Sequence, residues 1–268
     1  MRHFLTTIAN HVAHLRFNRA QQANSLSLEA WYALRDQFRV LDQDKSVRVV
    51  VLSGEGKHFC AGMDLQTLMT LQAQGPTEPA ARRAALKDFI LDIQDCISSI
   101  EQCRKPVIAA VHGGAIGGGT AIATACDLRL CSEDAYLSVK EVDLGIVADI
   151  GTLQRLPYLV NAGVAAELAY TGRKVSGSEA VQIGLANRVF ADKSTLLEGA
   201  LALATQMAEK SPLVQRGIKR SLLQVRRAAV QAGLKDIAEY NADHLISEDL
   251  VEALMAYMQK RQPIFQDS

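Results

Sequence analysis

PVIAAVHGGAIGGG, at residues 106–119, is the stretch of sequence that decides the fold. The β-forming run from Val107 to Val111 predicts a buried strand, and five glycines follow within positions 113–119. Glycine has no Cβ and is costly to order, so this density of glycines indicates that another chain segment or a ligand approaches the main chain closely. The small residues Thr120, Ala121, Ala123 and Ala125 then predict the start of a helix, whose first N–H groups are available to bind negative charge.

The residues around the glycines exclude two classes of anionic ligand for this loop. A phosphate-binding P-loop requires Gly-Lys-Ser or Gly-Lys-Thr, whereas Gly119 is followed by Thr120 and Ala121. The glycine spacing also fails the dinucleotide pattern G-x-G-x-x-G. A transient oxyanion needs only one or two N–H groups and is compatible with the stretch. Close packing of a strand against a helix, without any ligand, is the alternative that this stretch alone leaves open.

A second glycine motif, GKHFCAGMDL at residues 56–65, follows an apolar strand predicted for Val47 to Leu52. Together with HGGAIGGG at residues 112–119, it resembles the crotonase family, the enoyl-CoA hydratase/isomerase superfamily, and the resemblance extends from Asn18 to Pro263. It implies an α/β fold with a spiral of ββα units over residues 1–205. It also implies a C-terminal helical region at residues 206–268, through which family members form trimers, often paired into hexamers.

The resemblance also implies a substrate and its binding residues. The peptide N–H groups of Met63 and Gly118 would form an oxyanion hole that holds a thioester carbonyl as it becomes an enolate. Coenzyme A would enter as part of an acyl-CoA substrate, so we expect no separate cofactor and no metal. The residues implied to line the substrate site are Ala61, Gly62, Asp64, Leu65 and Gly117.

A third motif, KEVDLGIVADIGTLQRLP at residues 140–157, resembles the Δ3,5-Δ2,4-dienoyl-CoA isomerase subgroup of this family. That subgroup carries a Glu and, eight residues later, an Asp, which correspond here to Glu141 and Asp149. Both are implied to move protons on the acyl chain during fatty-acid β-oxidation, shifting 3,5-dienoyl-CoA to 2,4-dienoyl-CoA. For Asp149 the alternative is a helix N-cap before Gly151 and Thr152.

One position departs from the family pattern. The resembling isomerases have an Asp two residues after the glycine triplet and hydratases have a Glu there, whereas this chain has Ala121. Hydration requires a carboxylate that activates water, so Ala121 argues against a hydratase. Two alternatives stay open: a Δ3-Δ2-enoyl-CoA isomerase, which needs only the acid at position 141, and a non-catalytic binding protein of the same fold.

Composition bounds the remaining possibilities. The chain has 268 residues, of which 49% are hydrophobic and 22% charged, as is typical of a globular protein. Its 29 Lys and Arg balance 29 Asp and Glu, so no basic excess favours nucleic acid or an anionic membrane as a partner. The five cysteines include no C-x-x-C pair, which favours reduced thiols and a cytoplasmic protein. For Cys60 we expect a small buried side chain rather than a nucleophile.

Local patterns predict the remaining elements. Alternation predicts a strand at 12–17, and an apolar stripe predicts a helix from Ser27 to about Asp42. Ser211-Pro212 marks the start of an all-helical segment that contains a second long helix at 236–260. The other predictions are strands at 128–131 and 136–139, and helices near 64, at 80–104, 160–170, 178–184 and 195–209.

Overall fold

A computed structural model describes residues 3–266, except for the side chains of residues 72–74, and these residues form nine strands and ten α-helices. The strands are β1 (Phe4–Ala9), β2 (Val12–Phe17), β3 (Val49–Gly54), β4 (Val107–Val111), β5 (Gly114–Ile116), β6 (Leu128–Ser132), β7 (Tyr136–Ser138), β8 (Val175–Ser176) and β9 (Arg188–Phe190). The helices are α1 (Leu28–Gln43), α2 (Leu65–Gln74), α3 (Pro79–Gln102), α4 (Gly118–Ala125), α5 (Thr152–Arg155), α6 (Ala162–Thr171), α7 (Gly177–Gln182), α8 (Lys193–Ala208), α9 (Pro212–His244) and α10 (Glu248–Gln259). Short 3-10 turns lie at Ala20–Gln22, Lys140–Leu144 and Leu156–Tyr158.

The larger sheet has the strand order β1-β2-β3-β4-β6-β9, and its strands from β2 onward are parallel. Val49 and Val51 of β3 pack with α8 on one face, whereas Val50 and Leu52 join the main core with α1 and α3 on the other. Burial of every β3 residue confirms the prediction from its unbroken apolar run. Because β3 and β4 are parallel neighbours, the loops that follow them, which carry the two glycine motifs, leave the same edge of the sheet.

After β3, and again after β4, the chain enters the smaller sheet. It contains β5, β7 and β8, and Cys60 adds a one-residue bridge to Ala115 in β5. The amide of Cys60 donates to the Gly114 carbonyl at 3.1 Å, and that of Ile116 donates to the Cys60 carbonyl at 3.0 Å. The chain thus passes from the large sheet to the small one and then into a helix, repeatedly. This arrangement confirms the predicted α/β spiral of ββα units.

The C-terminal helices differ from the prediction. We expected one helix over 236–260, but α9 continues to His244 and α10 begins at Glu248. The prediction was wrong because Ser247 caps α10, its hydroxyl accepting the Leu250 N–H at 3.1 Å. Helix α9 packs on α3 and α5, while α10 packs on the turn at Lys140–Leu144. The boundary at residue 205 and the assembly role of residues 206–268 stay predictions.

The sequence pattern did not indicate β1, which pairs with β2 as an antiparallel hairpin. Asn10 and His11 join the two strands with φ values of +49° and +64°, a left-handed conformation that allows a two-residue turn. Within residues 3–266, no helix combines the length and the apolarity needed to cross a bilayer.

Candidate active site

A cavity of about 520 Å³ lies where the two glycine motifs, the Lys140–Leu144 turn and the helices α3 and α10 meet. It brings together eight of the nine site residues predicted from the sequence. Those that line it are Ala61, Met63, Asp64, Leu65, Gly117, Gly118, Glu141 and Asp149. The ninth, Gly62, lies behind the wall, where it joins the two glycine motifs.

Gly62 permits the close approach of these two motifs. Its φ is +81°, and a Cβ at this position would lie 2.6 Å from the Ile116 carbonyl oxygen and 2.8 Å from the Gly118 nitrogen. Both distances are below 3.0 Å, which is closer than a Cβ comes to atoms to which it is not bonded. The position therefore requires glycine for its conformation and for its lack of a side chain.

The amides of Met63 and Gly118 are unused donors on the cavity wall. Leu26 donates to the Gly62 carbonyl at 2.8 Å and accepts from the Asp64 amide at 3.0 Å, so the intervening Met63 N–H points away from Leu26. Gly118 begins α4 and its N–H is one of the four that have no partner inside the helix. Neither N–H donates a hydrogen bond within the described part of the chain. Two free donors in one cavity wall form a site for an oxygen that carries negative charge.

Glu141 lies in the 3-10 turn after β7 and is 9% exposed. A Cβ on Gly117 would lie 3.3 Å from its Oε1, so the carboxyl group adjoins the loop that presents the Gly118 amide. Its Oε2 has no hydrogen-bond partner among the described residues. Burial raises the pKa of Glu141 to about 7, and the charge of Asp149 adds to that rise while the residue's own backbone N–H opposes it. The side chain is therefore suited to take up and release a proton near neutral pH.

Asp149 lines the same cavity from the loop before α5. Its Oδ2 accepts a hydrogen bond from Nδ2 of Asn241 in α9 at 2.8 Å. Burial raises the pKa of Asp149 to about 6, against the hydrogen bond from Asn241, which lowers it. Helix α5 has Gly151 as its N-cap and no side-chain cap, so the alternative of Asp149 as a capping residue is wrong.

The part of the cavity away from the glycine motifs is apolar. Sequence analysis did not identify these residues, because an apolar side chain that lines a cavity has the same helical spacing as one in a core. They are Leu68, Phe89, Ile90, Ile93, Ile146 and Leu245. A wall of this kind accommodates a hydrocarbon chain.

Asp64 is held on the cavity wall by two other interactions. Its Oδ1 accepts the Gln66 N–H at 3.2 Å as the N-cap of α2, and its Oδ2 pairs with Arg19 at 3.2 Å. Arg19 also donates to the Ser25 carbonyl at 2.6 Å. The charges of Asp64 and Arg19 are thus paired with each other.

Ala121 and Cys60 contribute no reactive group to the cavity. Ala121 is fully buried in α4 within the main core and is not part of the cavity wall. Cys60 donates from Sγ to the Asn24 carbonyl at 3.2 Å, and burial raises the pKa of its thiol to about 12. A thiol in this environment is not a nucleophile, in agreement with the expected packing role. Among residues 3–266, no three His, Cys, Asp or Glu side chains are grouped so that they would hold a metal ion.

Comparison with known proteins confirms the family resemblance predicted from the sequence. Residues 7–268 match the sequence model of the family described as enoyl-CoA hydratase/isomerase. The chain is 48% identical, over 256 residues, to an Arabidopsis thaliana protein named Delta(3,5)-Delta(2,4)-dienoyl-CoA isomerase, peroxisomal, and the match covers 95% of this chain and 92% of the relative. It is 41% identical, over 260 residues, to the Homo sapiens Delta(3,5)-Delta(2,4)-dienoyl-CoA isomerase, mitochondrial, covering 96% of this chain and 79% of the relative.

A solved structure shares the fold. The crystal structure of an enoyl-CoA hydratase/isomerase from Pseudoalteromonas atlantica T6c matches with a TM-score of 0.86 at 28% sequence identity, covering 99% of this chain and 100% of that one. The two glycine motifs, the spiral of two sheets and these matches over almost the whole length lead to one conclusion. The chain belongs to the enoyl-CoA hydratase/isomerase family.

Proposed function

We propose that this protein is an acyl-CoA isomerase of fatty-acid β-oxidation that converts 3,5-dienoyl-CoA to 2,4-dienoyl-CoA. The observation that carries the proposal is the pair of buried carboxyls, Glu141 and Asp149, in one cavity that also presents two unused N–H groups. The names of the Arabidopsis and human relatives support the same substrate class.

The Met63 and Gly118 amides hold the thioester oxygen in this mechanism. Their N–H groups stabilise the negative charge that this oxygen gains when the proton on C2 leaves. One such donor typically contributes ~3–4 kcal/mol in the transition state. Coenzyme A enters as part of the substrate, with its thioester end beside Ala61 and Leu65.

The two carboxyls divide the proton transfer by their positions. Glu141 adjoins Gly117 and is therefore next to the oxyanion site, so we assign to it the proton on C2. Loss of that proton gives a conjugated enolate from C1 to C6. Asp149, the other buried carboxyl of the cavity, returns a proton to C6. The double bonds then lie at C2 and C4, and the protonation states of the two carboxyls are exchanged.

The pKa values of both carboxyls fit this exchange. Burial raises the pKa of Glu141 to about 7 and that of Asp149 to about 6, which makes a singly protonated pair accessible near neutral pH. The form that starts the reaction, with the proton on Asp149, is the less populated of its two arrangements. An efficient general acid or base has its pKa near the working pH. A lone exposed carboxyl, with its ordinary pKa near 4, would rarely carry the proton that C6 requires.

Three substrates distinguish the candidate functions. Purified protein is mixed with a 3,5-dienoyl-CoA, a 3-enoyl-CoA and crotonyl-CoA, and the conjugated diene, 2-enoyl and 3-hydroxyacyl products are measured by absorbance and chromatography. We expect conversion of the first substrate and very poor hydration of crotonyl-CoA, because alanine stands at position 121, where the resembling hydratases have the glutamate that activates water. Turnover of the 3-enoyl thioester alone would make the protein a Δ3-Δ2-enoyl-CoA isomerase. Binding without turnover of any thioester would make it a non-catalytic member of the fold.

Replacing Gly62 with Ala is expected to lower isomerase turnover by about tenfold to a hundredfold. The new Cβ would push apart the Ile116 carbonyl and the Gly118 amide, and its backbone would be strained at a φ of +81°. The measurement is the steady-state turnover number on the 3,5-dienoyl thioester. Gly217→Ala is the matched control, since no atom lies within 4 Å of a Cβ there. Equal effects of the two substitutions would contradict the assigned role of the Gly62 junction.

We propose that a second copy of this chain covers an apolar stripe on α9, and that the protein forms trimers, which can pair into hexamers. Val214, Ile218, Leu222 and Val225 follow one another at spacings of four, four and three residues, and their side chains are 57%, 51%, 70% and 84% exposed. Such spacing places them on one face of the helix. An exposed apolar row of this length is typical of an interface between subunits.

A charge in this stripe is expected to reduce the assembly. Val225→Asp places a carboxylate where the partner helix would pack, and burying it unpaired is strongly unfavourable. Sedimentation velocity measures the particle mass for this variant and for Gln231→Asp, an exposed position away from the stripe. Monomers of the wild type, or a Val225→Asp protein of unchanged mass, would contradict the proposal.

We further propose a cytoplasmic location, which rests on the five cysteines. All five are free and buried, as expected of a protein from a reducing compartment. The Arabidopsis and human relatives are named peroxisomal and mitochondrial. Fractionation of the source cells tests the location.

A further inference from the structure

Asn241 uses both hydrogens of its side-chain amide within the active-site region. Its Nδ2 donates to the Asp149 carboxylate oxygen Oδ2 at 2.8 Å and to the Val147 main-chain carbonyl at 2.9 Å. The residue lies on the buried face of α9 and is 1% exposed. Asn241 and Asp149 are 92 residues apart in the sequence, so α9 supplies a side chain that contacts the loop before α5.

The two acceptors determine which way this amide points. Both are oxygens without a hydrogen to donate when Asp149 is ionised, so a flipped amide would place its own oxygen against them. The orientation with Nδ2 toward Asp149 is therefore enforced. The same hydrogen bond fixes the position of the carboxylate oxygen Oδ2.

A second buried amide holds the same residue by its main chain. Nε2 of Gln94, in α3, donates to the Asp149 carbonyl at 2.7 Å and to the Leu234 carbonyl of α9 at 2.9 Å. Gln94 is 5% exposed. Asp149 is thus held at two points, its carboxylate by Asn241 and its main chain by Gln94. Only the hydrogen bond from Asn241 is made to the ionisable group.

We infer that Asn241 is a positioning residue for proton transfer at Asp149, holding the carboxylate toward the substrate and stabilising its ionised form. The inference rests on the proposed function, in which Asp149 exchanges the proton on C6. A hydrogen bond from an N–H to a carboxylate is stronger than one to the neutral acid. Asn241 thereby opposes the effect of burial and keeps the pKa of Asp149 lower than burial alone would make it.

The other charged groups that line the cavity do not replace the hydrogen bond from Asn241 to the Asp149 carboxylate. Glu141 interacts electrostatically with Asp149. Lys140 and Asp64 also line the cavity, but Lys140 pairs with Asp143 and Asp64 pairs with Arg19. Helix α10 contributes the phenol of Tyr257, and α3 contributes the apolar residues Phe89, Ile90 and Ile93.

Asn241→Leu is expected to move the pH profile of kcat/KM on the 3,5-dienoyl thioester toward higher pH. Without the donor, the ionised form of Asp149 loses stabilisation and its pKa rises. Because the profile reports apparent pKa values of the pair, their sum is expected to increase by about one. Turnover is also expected to fall, since the carboxylate is no longer held in place.

Gln94→Leu is the matched control. It also removes a buried amide that bonds to Asp149, but from the main-chain carbonyl rather than the carboxylate. A lower rate with an unchanged pH profile is expected. If both variants lower the rate and neither moves the profile, Asn241 is a structural residue and the inference is overturned.

Asn241→Asp provides a second variant if the leucine protein does not fold. It keeps the shape of the side chain and replaces the donor with a carboxylate, so like charges face each other at neutral pH and the pKa of the pair rises further. Activity is expected to recover in part as the pH falls, because the introduced carboxyl, once protonated, donates to Asp149 in place of the amide. A profile that coincides with that of the wild type would overturn the inference.

A substrate-free measurement separates this inference from the proposed function. The carboxyl bands of wild type, Asn241→Leu and Gln94→Leu are followed by infrared titration, with Asp149→Asn used to identify the band of Asp149. A higher titration midpoint in Asn241→Leu alone supports the contact whether or not 3,5-dienoyl-CoA is the substrate. An unchanged midpoint refutes it even if the isomerase assay succeeds.

Discussion

Replacing Glu141 with Gln is expected to lower turnover of a 3,5-dienoyl thioester by about two to four orders of magnitude, with the affinity for the thioester nearly unchanged. Glutamine keeps the shape of the side chain and its place beside Gly117, but it cannot accept the proton from C2. The Met63 and Gly118 amides, which bind the carbonyl oxygen, stay in position. Single-turnover kinetics and equilibrium binding of a non-reactive acyl-CoA measure the two quantities separately.

Asp143→Asn is the matched control for this substitution. Asp143 belongs to the same 3-10 turn and pairs with the half-exposed Lys140, but its own side chain is not part of the cavity wall. The same acid-to-amide change is therefore expected to leave turnover close to that of the wild type. A Glu141→Gln protein with activity within a few-fold of the wild type would remove Glu141 from the mechanism.

Replacing Asp149 with Asn is expected to separate the two isomerase functions. Turnover of the 3,5-dienoyl thioester should fall by about two to three orders of magnitude, because the group that returns a proton to C6 is lost. A 3-enoyl thioester needs proton movement only near Glu141, so any turnover of that substrate should persist. The side-chain oxygen of the new asparagine can still accept from Asn241, which favours an intact fold. Parallel assays with the two thioesters measure both effects.

Two outcomes of this experiment would contradict the assignment. Undiminished dienoyl turnover would show that Asp149 does not carry the C6 proton. Equal loss on both thioesters would show that Asp149 acts on the step at C2 or supports Glu141. Circular dichroism on each protein distinguishes such losses from unfolding.

The site residues could be predicted from the sequence because three continuous motifs, at residues 56–65, 112–119 and 140–157, resemble motifs of the enoyl-CoA hydratase/isomerase superfamily. The Gly62 and Gly118 loops follow parallel strands, and the eight-residue spacing of Glu141 and Asp149 lies within one continuous segment. Eight of the nine predicted residues accordingly meet in one cavity. The division of the chain at residue 205 and the assembly stay predictions.

The parts that sequence reasoning missed depend on contacts between distant segments. Asn241 lies on an amphipathic helix. The sequence pattern of that helix does not show whether a buried amide bonds to Asp149 or to other groups in the core. The apolar wall is hidden for the same reason, since Phe89 and Leu245 have ordinary helical spacing. The break between α9 and α10 did have a local signal, Ser247 before two acidic residues, which the apolar periodicity across it obscured.

The unpartnered oxygen of Glu141 has a thermodynamic consequence for the whole protein. Burial raises the pKa of Glu141 from 4.5 to about 7, so the folded state holds this proton over a pH range in which the unfolded chain has released it. The free energy of unfolding therefore falls as the pH rises through this range. Above pH 7 the ionised side chain lowers it by about 3 kcal/mol, and below about pH 4.5 this penalty is absent. The buried carboxyl that serves proton transfer therefore lowers the stability of the protein at and above neutral pH. The apolar packing of the surrounding spiral must compensate for this loss.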